Sequence, residues 1–284
     1  MLILRRLRIF VTGAAGYIGT AVVRELIGAG HQVVGLTRSE SGAQVLEKLG
    51  VEVVHGVLED LDLLRSCAAT SDGVIHLAFN HDFSNFGASL ATDLRAIEAL
   101  GEGLAGSGKP LVITAHANGK ASEDAVLAFI EQGVRASIDS LAPSVHGEGD
   151  KGFVPQLIRI AQERGSSAYI GDGTNRWPAI HRLDAAVLFR LAVESAPAGS
   201  RLDGVDDEGI PFSDIAGVIG RHLDVPVVSI SREEAQASFG FLSVVASLDL
   251  ARSSKATKEL LGWKPVQLGL LPDLEQGHYF SKYH

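Results

Sequence analysis

A chain of 284 residues, 46% of them apolar, can bury the full core of one large domain or two modest ones. Its 25 basic and 34 acidic side chains leave a formal charge of −9 with no block of like sign, which argues against nucleic acid or an anionic membrane surface as a partner. The single cysteine, Cys67, excludes an internal disulfide and suits a reducing compartment.

The opening Met1-Leu2-Ile3-Leu4-Arg5-Arg6 has the look of a targeting signal, but no long apolar stretch follows the arginines. No stretch reaches bilayer-spanning length either, so a soluble, cytoplasmic protein is expected. Instead the run Leu7-Arg8-Ile9-Phe10-Val11 predicts a strand, and Ala21, Val22, Leu26 and Ile27 mark a helix over 17–28. Between them stands Gly13-Ala14-Ala15-Gly16-Tyr17-Ile18-Gly19. A strand, a glycine turn and a helix make a phosphate site, because bare backbone lets amide N–H groups meet a pyrophosphate at the positive end of the helix. A tight turn without a ligand is the plainer alternative.

The alternation continues. Strands are predicted at 32–36, 51–54, 73–77, 111–114 and 134–140, with helices at 42–49, 60–69, 85–105 and 122–132 between them. Short Val- and Ile-rich strands separated by helices imply a parallel sheet covered on both faces, the doubly wound α/β class of Rossmann type. Ligands of such sheets bind beyond the carboxyl ends of the strands, which directs attention to Gly13, Arg38, Val57, Ala78, Ala115 and Pro143. After about Gly149 the rhythm changes. Helices at 153–164, 184–194, 212–222 and 255–261 alternate with scattered strands such as 168–170 and 227–230. Residues 1–149 are therefore expected to bind a dinucleotide. Residues 150–284 would form a smaller α/β substrate-binding portion, with some segments returning to the first domain. The stretches 172–175 and 206–209 read as turns, and Asn175-Arg176-Trp177-Pro178 as a polar and aromatic loop that could cover a ligand, although Trp177 has the stronger claim to the core.

Four stretches resemble the extended and atypical short-chain dehydrogenase/reductases, the superfamily of nucleotide-sugar epimerases and carbonyl reductases. They are the glycine segment Val11–Gly19, Gly73-Val74-Ile75-His76-Leu77-Ala78 on the fourth strand, Pro143-Ser144-Val145-His146-Gly147-Glu148-Gly149, and Leu260-Leu261-Gly262-Trp263-Lys264-Pro265. They occur in the order the superfamily has and span nearly the whole chain. The resemblance implies a bound NAD or NADP held at its diphosphate by Gly13, Gly16, Tyr17, Ile18 and Gly19, with Leu58 near the adenine and Leu77 and Ala78 flanking a ribose. It also implies that two copies can pair through the long helix 85–105.

An acid at the tip of the second strand would hold the adenosine ribose and select NAD. Here the strand ends Leu36-Thr37-Arg38-Ser39, and Arg38, helped by the Thr37 and Ser39 hydroxyls, suits a ribose 2′-phosphate. NADP is therefore the expected cofactor, with Glu40 two residues on keeping NAD open.

The superfamily's usual proton donor is the tyrosine of a Tyr-x-x-x-Lys pair with a nearby Ser or Thr. Four residues after Tyr17, Tyr169 and Tyr279 stand Ala21, Gly173 and Tyr283, and Tyr283 lies at the chain's end, so no such pair exists. Thr114 stands where the family places its Ser or Thr. His116 lies beyond the fifth strand, and His146 and His181 offer further side chains suited to proton transfer near neutral pH. A structural or surface role serves each histidine as well. No His, Cys or acid cluster has metal-ligand spacing. Asp82 and Asn85 are candidate pocket residues, though Asn85 or Ser84 fits equally as the cap of the next helix.

Three functions remain open. The first is an NADP-dependent oxidoreductase acting on a small carbonyl or alcohol with a non-tyrosine proton donor. The second is a dinucleotide-binding sensor or scaffold without turnover. The third is a nucleotide-sugar epimerase or dehydratase, against which the missing tyrosine weighs most.

Overall fold

The short Val- and Ile-rich runs turn out to be strands, and the amphipathic stretches between them helices. The computed structural model describes residues 6–82 and 85–281. The first five residues of the opening segment, the cap candidate Ser84 and Tyr283 lie outside the described residues. In chain order the elements are β1 (Arg8–Thr12), α1 (Tyr17–Gly28), β2 (Gln32–Thr37), α2 (Glu40–Lys48), β3 (Glu52–His55), α3 (Leu61–Ala69), β4 (Gly73–His76), α4 (Phe86–Leu104), β5 (Pro110–Thr114), α5 (Lys120–Ala128) and β6 (Arg135–Leu141). There follow β7 (Ser144–His146), α6 (Phe153–Arg164), β8 (Ser167–Ile170), β9 (Arg176–His181), α7 (Arg182–Ser195), β10 (Ser200–Gly204), β11 (Asp207–Pro211), α8 (Phe212–Leu223), β12 (Val227–Ile230), α9 (Ala235–Phe239), α10 (Ser243–Ala246), α11 (Lys255–Leu261) and α12 (Leu270–Glu275).

The chain divides into two units. One comprises residues 1–140, 185–202 and 256–263, the other 141–184, 203–255 and 264–284. The first unit carries a seven-stranded sheet in the order β10-β6-β5-β4-β1-β2-β3. Its pairs from β3 through β6 are all parallel. The order 3-2-1-4-5-6 is that of the Rossmann fold, with a switch point between β1 and β4 where the winding reverses. Phe10, Val34, Leu36, Val74, Leu111, Ile113 and Ile138 from the sheet pack with Leu64, Ile97 and Leu100 from the helices. Along α4 the buried positions Ser89, Asp93, Ala96, Ile97, Leu100 and Leu104 recur at helical spacing, and Asp93 is the charged member of that stripe.

In the second unit a three-stranded sheet, β11-β9-β7, and a parallel pair, β12-β8, surround an apolar core built on Trp177, Phe212, Phe239 and Phe280. Two readings of the sequence are corrected here. Residues 175–178 are not a covering loop: Arg176–His181 is a strand, and Trp177 is wholly buried. Nor is 206–209 simply a turn, because Asp207–Pro211 pairs antiparallel with it. Ile210 faces Trp177 and Asp207 faces Ala179, with a register shift between them, so Pro178 falls where the ladder is interrupted and its missing N–H costs no hydrogen bond. Among the described residues no helix is long and apolar enough to cross a membrane.

Candidate functional site

Beyond β1 the chain turns on Gly13, whose φ of +67° belongs to the left-handed region. A Cβ there would stand 2.8 Å from the Ala78 nitrogen and 2.9 Å from the Leu77 carbonyl carbon, so only glycine lets the loop lie against the end of β4. A Cβ on Gly19 would come within 2.0 Å of the Gly13 oxygen, which fixes how tightly α1 closes on the loop. Gly16, by contrast, is exposed and caps α1 with no side-chain hydrogen bond, and the first turn of the helix holds no acid. The Gly16 amide donates to the Gly13 carbonyl at 2.9 Å, no side chain caps the helix, and the positive end of the helix dipole lies at this turn. Tyr17 and Ile18 are half-buried on that first turn. This cradle fits a dinucleotide diphosphate: bare backbone where the anion would lie, and no acidic residue in the first turn of α1.

At the tip of β2 Thr37 is buried and Arg38 is exposed. The Ser39 hydroxyl accepts the Gly42 amide at 3.1 Å and so caps α2, which draws it away from the phosphate role the sequence suggested. Leu58 turns inward and packs on the sheet's apolar core. Leu77 and Ala78 lie half-buried directly after β4, with both amides donating to Thr12 Oγ1 at 3.2 Å.

Those amides open a buried polar chain at the β1/β4 switch point. Thr12 and His76 face each other in register, with Thr12 Oγ1 to His76 Nδ1 at 2.7 Å. His76 Nε2 lies 3.2 Å from Asp93 Oδ1, and Ser122 of α5 donates to Asp93 Oδ2 at 2.6 Å. All four side chains are buried. Burial alone would raise the Asp93 carboxyl. Hydrogen bonds from His76 and Ser122, with the electrostatic influence of His76 and His116, outweigh it and hold the group below the ordinary aspartate range. Thr114, at the end of β5, donates its hydroxyl to the His76 carbonyl at 3.3 Å.

His116 follows in the loop between β5 and α5. Its Nε2 is 4.0 Å from Asp93 Oδ1 and its ring lies on Phe79, centroids 4.0 Å apart and planes tilted by 31°. Burial pushes its pKa down to about 4; Asp93 opposes that shift, while His76 and His81 add to it. At neutral pH the ring is therefore uncharged, and it keeps a 17% exposed side chain. Phe86, at the start of α4, packs against Phe79 at 5.7 Å. Asn85 occupies the cap position of α4 without a side-chain cap bond, and its amide donates at 3.2 Å to the carbonyl of the exposed Asp82.

His146 belongs to the other unit. It is wholly buried at the end of β7, with Nδ1 2.8 Å from Asp273 Oδ2 and its ring edge-on to His181 at 5.3 Å. Burial pushes the Asp273 carboxyl up, but the His146 hydrogen bond and the charges of His146, His278 and His181 bring it below the ordinary range. That pair's contribution is present above the unfolded aspartate value near pH ~3.9 and is lost as pH falls through the lowered folded value. Asp273→Ala strands a buried imidazole nitrogen and is expected to cost about 2–3 kcal/mol in urea unfolding; an unchanged midpoint would mean the pair contributes nothing.

Residues 6–99 match a family described as NmrA-like. An uncharacterized protein of Schizosaccharomyces pombe is 50% identical over 295 residues, covering 96% of this chain and 100% of that one. A 2-alkyl-3-oxoalkanoate reductase of Stenotrophomonas maltophilia is 28% identical over 229 residues, 70% of this chain and 68% of its own. In fold, a dTDP-glucose 4,6-dehydratase of Streptomyces venezuelae, solved with NAD and TYD bound, superposes with a TM-score of 0.76 at 16% identity, covering 97% of each chain. Over residues 6–99 the chain carries an NmrA-like domain, and its fold is that of the extended short-chain dehydrogenase/reductases.

The sequence lacks the Tyr-x-x-x-Lys pair of the superfamily whose fold it shares. The structure brings Thr114, His116, Leu77 and Ala78 to the carboxyl ends of β4 and β5 in one unit. Sequence reasoning missed His76 and Asp93. Two signals marked them: a histidine ending an otherwise apolar strand, and an aspartate on the buried stripe of α4.

Proposed function

We propose that this chain is a nicotinamide-dinucleotide oxidoreductase that interconverts a small alcohol and its carbonyl compound, with His116 as the proton-transferring group. The reading is supported above all by His116 itself: a neutral, partly exposed imidazole tilted against Phe79 beyond β5, in a chain without the superfamily's Tyr-x-x-x-Lys pair. When bound, the coenzyme exchanges a hydride with the substrate carbon at its nicotinamide ring. The residues of this chain do the rest. Gly13, Gly16 and Gly19 shape the amide cradle, Leu77 and Ala78 border a ribose, and Thr114 steadies the end of β4. An uncharged ring begins alcohol oxidation in the correct protonation state, whereas carbonyl reduction must first load it with a proton. Phe79 and Phe86 favour a substrate with an apolar portion. The reductase activity of the Stenotrophomonas relative agrees with this class of reaction.

Coenzyme choice follows from Arg38. No ion pair with a described residue holds it, and a 2′-phosphate would give its guanidinium a partner. Arg38→Ala is expected to weaken NADP by about tenfold or more, roughly 1.4 kcal/mol, and NAD by less than about twofold. Calorimetric titration of both coenzymes decides it, and equal losses would remove the phosphate role.

The function is tested by following nicotinamide absorbance with both oxidised coenzymes and a panel of small primary and secondary alcohols, and with both reduced coenzymes and the matching carbonyls. Coenzyme-dependent turnover is the expected result. Tight binding with no turnover in either direction would replace the enzyme with a dinucleotide sensor.

A further inference from the structure

The donors and acceptors at the switch point can be assigned one after another from Thr12. Its Oγ1 accepts two amides, Leu77 and Ala78, each at 3.2 Å, which uses both lone pairs. Its own hydrogen therefore goes to His76 Nδ1, 2.7 Å away. His76, already an acceptor at Nδ1, carries its proton on Nε2 and donates it to Asp93 Oδ1 at 3.2 Å. Ser122 donates to the other Asp93 oxygen at 2.6 Å. Asp93 is thus an ionised carboxylate fed by donors, deep under α4, where an uncompensated charge would be costly. The chain of protons has one direction, and it ends on this carboxylate.

His116 Nε2 stands 4.0 Å from the same Oδ1. Too long for a hydrogen bond, that distance still places the ring in the field of a buried negative charge, which favours the tautomer with its N–H toward the carboxylate. We propose that Asp93 is a positioning residue, which keeps the His116 proton on Nε2 and so leaves Nδ1 as the atom that takes up the substrate's hydroxyl proton. Phe79 fixes the plane of the ring and Asp93 fixes which nitrogen is basic. In oxidation the substrate O–H bond breaks and its proton passes to Nδ1, while the carbinol hydride leaves with its electron pair for the nicotinamide ring. The imidazolium that results is stabilised by the same carboxylate. The charged and titratable groups facing His116 are Asp93 from α4, His76 from β4 and His81 from the loop after it. Of these only Asp93 favours the protonated ring.

The inference rests on the assignment of His116 above, and its test separates the two. Ring ¹⁵N spectra at neutral pH report the tautomer of each histidine without any turnover. In the unaltered protein both His76 and His116 are expected in the Nε2–H form. Asp93→Asn is expected to remove the preference at His116. It should also lower the oxidation kcat by about tenfold or more, with KM and coenzyme affinity within about twofold. A His116 found as Nδ1–H in the unaltered protein overturns the proposal, and that measurement stands even if the variant fails to fold. A tautomer unmoved by Asp93→Asn overturns it as well. Should no alcohol be oxidised at all, the proposed function falls, while the spectra still decide the role of Asp93.

Discussion

Gly16→Val is expected to abolish measurable dinucleotide binding in a protein that still folds. The φ of Gly16 is −74°, open to any residue, and a Cβ there would meet nothing nearer than the Gly13 oxygen at 3.1 Å. Valine is therefore accommodated by the chain with a small adjustment. Its methyl groups, however, would cover the amides that open α1. Charge-assisted hydrogen bonds of that kind contribute about 1.5–3 kcal/mol each, so losing two of them weakens binding by about a hundredfold or more. Gly19→Val provides the contrast. Its Cβ would sit 2.0 Å from the Gly13 oxygen and 2.9 Å from the Ala14 oxygen, both backbone atoms, so α1 must move off the loop and the fold itself suffers. Calorimetry with NAD and NADP, beside thermal unfolding of each variant, distinguishes the two positions. Gly16→Val should lose the heat of binding while keeping its Tm within a few degrees; Gly19→Val should lose both. Undiminished coenzyme affinity in Gly16→Val would sink the assignment of this loop to the diphosphate.

The contrast between these glycines also explains how much of the molecule could be read from its residues. The parallel sheet was legible because its strands are short apolar runs, and Gly30, Gly50 and Gly133 close the segments just before β2, β3 and β6 at positive φ, a purely local signal. The strand expected at 32–36 is found at Gln32–Thr37, and the helix expected at 17–28 is Tyr17–Gly28. Strands β9 and β11 were illegible for an equally physical reason. Pro178 and the run Asp207-Glu208-Gly209 carry turn chemistry, and the irregular register between the two strands accommodates it. The glycine cradle was visible because its parts are consecutive. The polar chain under α4 was not, because Thr12, His76, Asp93 and Ser122 come from four elements that only the fold joins. A histidine ending an apolar strand and an aspartate on a buried helical stripe were its traces, and neither names a partner until the sheet is assembled.

His116→Ala is expected to lower kcat/KM for alcohol oxidation by about 10²–10⁴-fold, the usual worth of a positioned general base, while both coenzymes bind as before. The pH dependence carries the sharper signature. A base must be unprotonated to act, and His116 gains its proton only near about 4, so oxidation by the unaltered protein should be level through neutrality and decline as that value is approached. The residual activity of His116→Ala should lack this acid limb. Stability moves in the same window. An unfolded chain takes up the proton near 6.5, whereas the folded ring resists it until about 4, so the unfolded state binds more protons between those values and stability is lost as pH falls across them. His116→Ala should therefore lose less stability than the unaltered protein between neutral pH and pH ~4.5 in urea titrations. Full turnover in the variant would dismiss His116 as the base, and identical stability profiles would show that its burial is not what sets its protonation.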